Sequence, residues 1–323
     1  SVKTIDNGLV VIDEMSMVDN IVMQKLMEAL NRNCHLIMVG DTDQLPSVGV
    51  GAVLEQMIKS KVVTYTRLTK TFRQDPANGG GIITNALKVN HGDANLEYDS
   101  HFQMVHVNSE SEAVEAIKRI YVGEVKKWGI DNVALLSPLR STQNGRHICS
   151  SDGINPILQS LCNPKADGMP SVKYGSTEFR LNDRVMKWAN GEYSSNGDIG
   201  VITDIATDED DNTSVVIQWE SGITETIQKE GLEDVTLAYS MSVHKSQGSE
   251  YNSVIIPVLS EQDCPLFKKN LLYTGITRSK KQIYLVGDEK AIKMMCSRSD
   301  ANVRNTVLAS RLYIKEAKAE KNK

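Results

Sequence analysis

Two adjacent carboxylates, Asp13 and Glu14, stand at the end of an apolar run at residues 9–12. A buried strand that delivers an Asp-Glu pair to its carboxyl end is the layout with which nucleotide-hydrolysing α/β domains hold Mg²⁺ and activate water. A solvated strand end looks the same, so the pair takes its meaning from its companions. A second apolar run, 36–39, opens into Gly40-Asp41-Thr42-Asp43-Gln44-Leu45-Pro46. There the glycine permits a sharp exit and Gln44 can reach a neighbouring ligand. Taken alone, that segment reads as a polar loop.

The elements that must position these residues follow from patterning. Between the two runs Asp19 can cap a helix whose apolar positions Ile21, Val22, Leu26, Met27 and Leu30 share one face. Strand, helix and strand form a βαβ unit, and two buried parallel strands imply a doubly wound sheet with ligands at the strands' carboxyl ends. Similar runs return at 133–136, 253–256 and 283–286, so a second parallel α/β domain is expected. Between 178 and 227 the texture changes to short candidate strands at 184–188, 199–205, 214–219 and 223–227, separated by turn signals at 196–198, 208–212 and 220–222. These predict a small antiparallel barrel inserted in the second domain. The expected division is 1–95 for the carboxyl-terminal part of the first domain, 96–172 and 234–314 for the second, and 173–233 for the barrel. The polar tail 315–323 is expected to be frayed or disordered.

Composition narrows the class. The chain has 323 residues, enough for two or three domains, with 24% charged and 40% apolar residues as in ordinary globular proteins. No stretch approaches the roughly 20 apolar residues of a membrane span and no signal peptide opens the sequence, so a cytoplasmic protein without membrane partners is the default expectation. Five scattered cysteines with no CxxC pair support neither zinc nor a disulfide framework. A net charge of −5 argues against a polycation that coats nucleic acid, yet leaves room for a local basic groove.

Several strings then occur in a telling order. Asp13-Glu14, GDTDQLPSVGVGAVL at 40–54 and TKTFRQ at 69–74 resemble motifs II, III and IV of superfamily-one helicases. LSPLR at 136–140, followed by Gln159 and Asn163-Pro164, is similar to the opening of the second motor domain in the RecD-like branch. SVHKSQGSEY at 242–251 resembles motif V, and LLYTGITRSKK at 271–281 resembles motif VI. The resemblance spans nearly the whole chain. It implies two RecA-like motor domains, the first incomplete, an SH3-like barrel inserted in the second, and an ATP-dependent DNA helicase moving 5′ to 3′ on single-stranded DNA.

In-line attack of water on a γ-phosphate needs a metal-holding carboxylate, a carboxylate that orients water, and cations that neutralise developing charge. By resemblance Asp13 holds Mg²⁺, Glu14 orients water, and Gln44 senses the γ-phosphate of ATP. Arg73 and Arg278 would be arginine fingers, one from each side of the cleft. Gln247, Gly248 and Glu250 would shape and touch the nucleotide, Glu250 at the ribose. His244, Lys245 and Ser246 can donate to DNA phosphates at a helix start. Arg140 either joins them or caps a helix end. Aromatic platforms for bases are scarce at 5% of the chain; Tyr193 and Trp188 flank a barrel turn, and Trp188 ends an apolar strand and reads as core.

A complete motor also needs the phosphate-cradling GxxxxGK[ST] loop, and no such string occurs. Gly79-Gly80-Gly81 lacks the lysine and hydroxyl and reads as a flexible linker. In the helicase family this Walker A loop precedes motif II, and only twelve residues precede Asp13. The expectation is a carboxyl-terminal fragment, inactive alone, whose first sheet exposes an edge. Its partners would be the missing amino-terminal segment, single-stranded DNA with a duplex junction, and recombination or repair proteins. A truncated, non-catalytic DNA- or partner-binding subunit and an RNA helicase of the same superfamily are the alternatives.

Overall fold

The computed structural model describes residues 4–69, 76–141, 147–298 and 306–321, with the side chains of 76–80 and 317–321 outside that description. The chain opens with β1 (Gly8–Ile12), α1 (Asn20–Ala29), β2 (Cys34–Met38) and α2 (Val53–Ser60). β1 and β2 pair in parallel, Ile12 opposite Met38, so both strands release the chain at the same end of the sheet. Asp19 caps α1 as expected, accepting from the Val22 amide at 2.8 Å. The buried face of that helix differs from expectation. Met23 points inward with Leu26 beside it, while Ile21, Val22 and Met27 are exposed. Two strands give the helix little sheet to cover, so apolar periodicity alone does not decide which side is buried.

Next come α3 (Pro76–Asn90), β3 (Phe102–His106), α4 (Glu110–Trp128), β4 (Val133–Ser137) and α5 (Ser151–Cys162). The glycines expected to form a linker lie inside α3. A Cβ on Gly81 would stand 2.3 Å from an Asp99 carboxylate oxygen, so a close approach explains at least that glycine. Ile82, Ala86 and Val89 of α3 are buried with residues of the second sheet, although this helix precedes the expected boundary at 95.

The antiparallel part follows: β5 (Ser171–Tyr174), β6 (Thr177–Arg180), β7 (Arg184–Lys187), β8 (Ile199–Thr207), β9 (Thr213–Trp219), β10 (Thr224–Gln228) and β11 (Val235–Leu237). β5 and β6 form a hairpin, and the other five form a sheet in the order β10-β9-β8-β7-β11. That sheet runs a few residues past the expected limit at 233, because β11 pairs with β7. Its interior, including Val215, Ile217 and Trp219, is continuous with the core under α4 and α5.

A buried carboxylate helps join the barrel to α5. Asp183 accepts from Gln159 Nε2 at 2.6 Å, Asn163 Nδ2 at 2.7 Å, Tyr239 Oη at 2.9 Å and the Arg180 amide at 2.7 Å. Burial pushes its carboxyl above the usual carboxylate range, against the pull of those four bonds.

The chain closes with β12 (Ser240–Ser242), β13 (Tyr251–Val258), α6 (Lys269–Thr277), β14 (Ser279–Gly287), α7 (Glu289–Ser297) and α8 (Leu308–Lys321). Strands β12-β4-β13-β14-β3 make one sheet, parallel throughout. Alternation sends Leu135 and Ile255 to the α4–α5 side, and Ala134, Leu136, Val254 and Ile256 to the α3–α6–α7 side. The expected disordered tail is a helix to Lys321, and the Ala309 amide donates to Gln56 of α2 at 3.4 Å. Its KEAKAEK composition is that of a good helix former.

Candidate functional site

The carboxyl end of the first sheet carries the carboxylates. Asp13 is exposed and Glu14 half-buried. Glu14 adopts a left-handed backbone (φ 52°), which costs about 1–2 kcal/mol for a residue with a Cβ. Its amide donates to Asp13 Oδ1 at 2.7 Å, and the Met15 amide donates to the Val39 carbonyl at 2.9 Å, tying this turn to the end of β2. Close packing explains Gly40: a Cβ there would stand 3.0 Å from the Met15 backbone nitrogen. A cavity of about 40 Å³ lies alongside, lined by Ser16, Thr42, Gln44, Ser47 and Glu55 among others. Ser16 Oγ is buried with no hydrogen-bond partner among the described residues, a polar atom that sequence reasoning passed over.

Magnesium suits this donor set. No cluster of three or more His, Cys, Asp or Glu able to hold a metal occurs among the described residues. Mg²⁺ commonly uses one or two carboxylates and takes its remaining ligands from phosphates and water, which an exposed Asp13 with one oxygen free of the Glu14 amide allows.

Loop 40–47 then meets the second sheet's helix α6. Arg278 Nη2 donates to Gln44 Oε1 at 3.0 Å, and the arginine is only 2% exposed. Its other donors reach the Thr274 carbonyl at 3.3 Å and the Ser249 carbonyl at 3.4 Å. Tyr273 Oη donates to Asp41 Oδ2 at 3.0 Å, Asn270 Nδ2 to the Asp43 carbonyl at 2.9 Å, and the Leu45 amide to Thr274 Oγ1 at 2.9 Å. Gln247 Nε2 donates to the Leu45 carbonyl at 3.1 Å. Burial, with the Asp41 carboxylate beside it, pushes the Tyr273 hydroxyl well above its ordinary pKa.

The structure therefore brings Gln44, Arg278 and Gln247 together, and adds Tyr273, Asp41, Asn270 and Thr274, which the sequence had not singled out. Gly248 turns the chain with φ +80°, and Glu250 pairs with Lys280 at 3.0 Å. Arg73 lies outside the described residues.

A second cluster gathers at the carboxyl ends of β4 and β12. The Arg140 guanidinium carbon lies 3.3 Å from the Trp188 ring centroid, and Lys245 Nζ lies 4.5 Å from it. Lys245 also donates to Asn196 Oδ1. Trp188, expected in the core, is half-buried at the barrel's edge, because the strand it was assigned to ends at Lys187. Ser246 is buried and donates to the Val243 carbonyl at 2.8 Å, so its hydroxyl serves the turn in this structure. His244 is half-buried on the same turn. The larger concavity, about 850 Å³ between β3 and α4, contains none of the motif residues.

Residues 2–110 match the family described as an AAA domain, and 237–286 match the UvrD-like helicase C-terminal domain. Residues 154–219 match the SH3 domain of ATP-dependent RecD-like DNA helicases. Together these matches support a RecD-like superfamily-one helicase fragment. Among curated relatives of this RecD-like chain, the ATP-dependent RecD2 DNA helicase of Deinococcus radiodurans is 28% identical, covering 94% of the chain and 39% of that protein. The RecBCD enzyme subunit RecD of Mycobacterium tuberculosis is 28% identical, covering 90% of the chain and 51% of the relative. The RecD-like chain thus spans about two-fifths to one-half of these relatives. Its fold also resembles a Pif1 helicase from Bacteroides solved with ADP-AlF3 and ssDNA (TM-score 0.52, 19% identity, 98% of this chain and 76% of that one).

Proposed function

We propose that this chain is the part of an ATP-driven DNA helicase that carries motifs II to VI, coupling hydrolysis at the first sheet to movement of the second along single-stranded DNA from 5′ to 3′. The supporting observation is the Arg278–Gln44 hydrogen bond, which links the motif VI helix to the loop beside Asp13 and Glu14. Asp13 would hold Mg²⁺, which supplies charge neutralisation at the phosphates when bound. Glu14 would orient water, Gln44 would sense the γ-phosphate, and Arg278 would leave Gln44 for the phosphate as the cleft closes. Arg73 is the proposed second finger, while Gln247, Gly248 and Glu250 would frame the nucleotide. Opposite these, His244, Lys245, Ser246 and Arg140 would meet the DNA backbone. The division between motor domains is proposed to fall before α3, since its buried face packs with the second sheet.

The 323 residues contain no GxxxxGK[ST] string, and a non-catalytic DNA- or partner-binding subunit is the alternative reading. Both readings are tested by one pair of proteins. The chain alone should hydrolyse ATP near background. Fused behind a segment that carries a GxxxxGK[ST] loop, it should gain ATPase stimulated by single-stranded DNA, and Glu14→Gln should remove it. A fusion without DNA-stimulated turnover supports the binding subunit; stronger stimulation by RNA supports an RNA helicase. No described helix is long and apolar enough to cross a membrane.

A further inference from the structure

Strands β12 and β4 are neighbours in register, Ser242 opposite Ser137, and each sends out a cation three residues later, Lys245 and Arg140. Topology alone therefore places two positive charges side by side at the sheet's carboxyl end. Such a pair repels, and one carboxylate among the described residues stands within ion-pair distance of it. The Asp152 carboxylate is 4.0 Å from Arg140, and Lys245 is held by a neutral amide, Asn196. Asp198, the carboxylate in the same barrel turn, accepts from the Ser195 amide at 2.7 Å. Burial, and then Arg140, pull the Lys245 ammonium below its ordinary pKa.

What holds the cations is the barrel. The Trp188 ring lies against both, and Asn196, eight residues further along the same loop, fixes the lysine head. A guanidinium 3.3 Å from a ring centroid is stacked on the indole face, where the ring quadrupole attracts it and limits its rotation. The aromatic ring thereby adds to the Asp152 carboxylate in offsetting that repulsion.

We infer that Trp188 is a positioning residue for nucleic-acid phosphates. It presents Arg140 and Lys245 as one preassembled phosphodiester clamp, so the barrel's 188–197 loop is part of the strand-binding site. This deepens the DNA-binding reading above and rests on it. A phosphate entering between the cations replaces mutual repulsion with two charge-assisted hydrogen bonds, and the ring has already restricted both side chains.

The test is binding of labelled oligo(dT) to the 323-residue chain by fluorescence anisotropy across a salt series. Trp188→Phe keeps an aromatic face and Trp188→Leu keeps apolar bulk without one. The leucine variant should bind about five- to twenty-fold more weakly, as expected for two exposed cation–π contacts. Its log–log salt slope should become shallower by about 0.7 for each cation lost from phosphate contact. Trp188→Phe should stay within about twofold of wild type, the difference expected between aromatic faces at exposed sites. Leucine and phenylalanine variants that behave alike would overturn the inference, as would an affinity loss with an unchanged slope.

Emission from Trp219, fully buried in the barrel, reports whether the leucine variant is folded. Should it not fold, Asn196→Ala, which leaves the ring in place, should weaken binding about two- to fivefold by freeing Lys245, and unchanged binding would refute the clamp. The double variant Arg140→Gln/Lys245→Gln separates the two levels. Undiminished binding there defeats the DNA-binding reading itself, whereas weakened binding with a wild-type-like leucine variant defeats only the role of Trp188.

Discussion

The two parallel sheets grow from the same apolar texture and end very differently. In the five-stranded sheet both faces are covered, and Leu135 is 0% exposed. In the β1–β2 pair one face packs on α1 and α2, while Leu9, Val11 and Ile37 on the other remain exposed, Val11 at 57%. Yet the bare sheet carries Asp13 and Glu14, and the covered one carries Arg278. The proposed chemistry thus sits on the less supported element and is connected to the stronger one by a few hydrogen bonds along loop 40–47.

The largest contrast to break is that of stability. Leu135→Ala removes a fully buried side chain and should cost about 2–5 kcal/mol, whereas Val11→Ala should fall within about 0.5 kcal/mol. Urea unfolding measures both, and equal costs would show that the first sheet is as well packed as the second. Hydrogen exchange sharpens the same point, with amides of β1 and β2 exchanging well before those of β4 and β13.

A smaller effect belongs to the seam. Tyr273→Phe keeps the ring and removes the bond to Asp41, so it should cost about 0.5–1.5 kcal/mol and loosen loop 40–47 without changing the second sheet. Protection of the Asp43 and Leu45 amides should fall. No change there would mean that the Tyr273–Asp41 contact carries no coupling.

The smallest effect concerns pH and lies wholly on the covered side. Because the folded Asp183 carboxyl titrates above its unfolded value of 3.8, the folded state holds that proton more tightly. Its contribution is present below the unfolded value and is lost as pH rises through the folded one. The stability of wild type relative to Asp183→Asn should therefore decline with rising pH in that window, as read from urea midpoints. A difference that grows with pH would mean that the four donors outweigh burial.

Much of the architecture was legible because parallel strands declare themselves as continuous apolar runs and hairpins by their turns. The runs at 133–136, 253–256 and 283–286 are β4, β13 and β14, and the four candidate barrel strands are β7 to β10 within a residue or two. What stayed hidden depends on distant partners. The inward face of α1 depends on how much sheet lies beneath it. Trp188 was misread because the strand assigned to it ends one residue earlier, at Lys187, a boundary the apolar pattern does not fix. Gln159 and Asn163 belonged to a recognisable string, but their bonds to Asp183 needed the barrel in place. Tyr273 and Asp41 meet across more than two hundred residues, a pairing that no local pattern encodes.

The most direct test of a motor built across the two sheets is single-turnover ATP hydrolysis in the fusion bearing the phosphate loop, with and without Arg278→Lys, at saturating single-stranded DNA. If Arg278 moves from Gln44 to the γ-phosphate, lysine should slow the chemical step by about 10³-fold or more while nucleotide binding persists. A lysine variant that hydrolyses ATP as fast as the parent fusion would contradict the account.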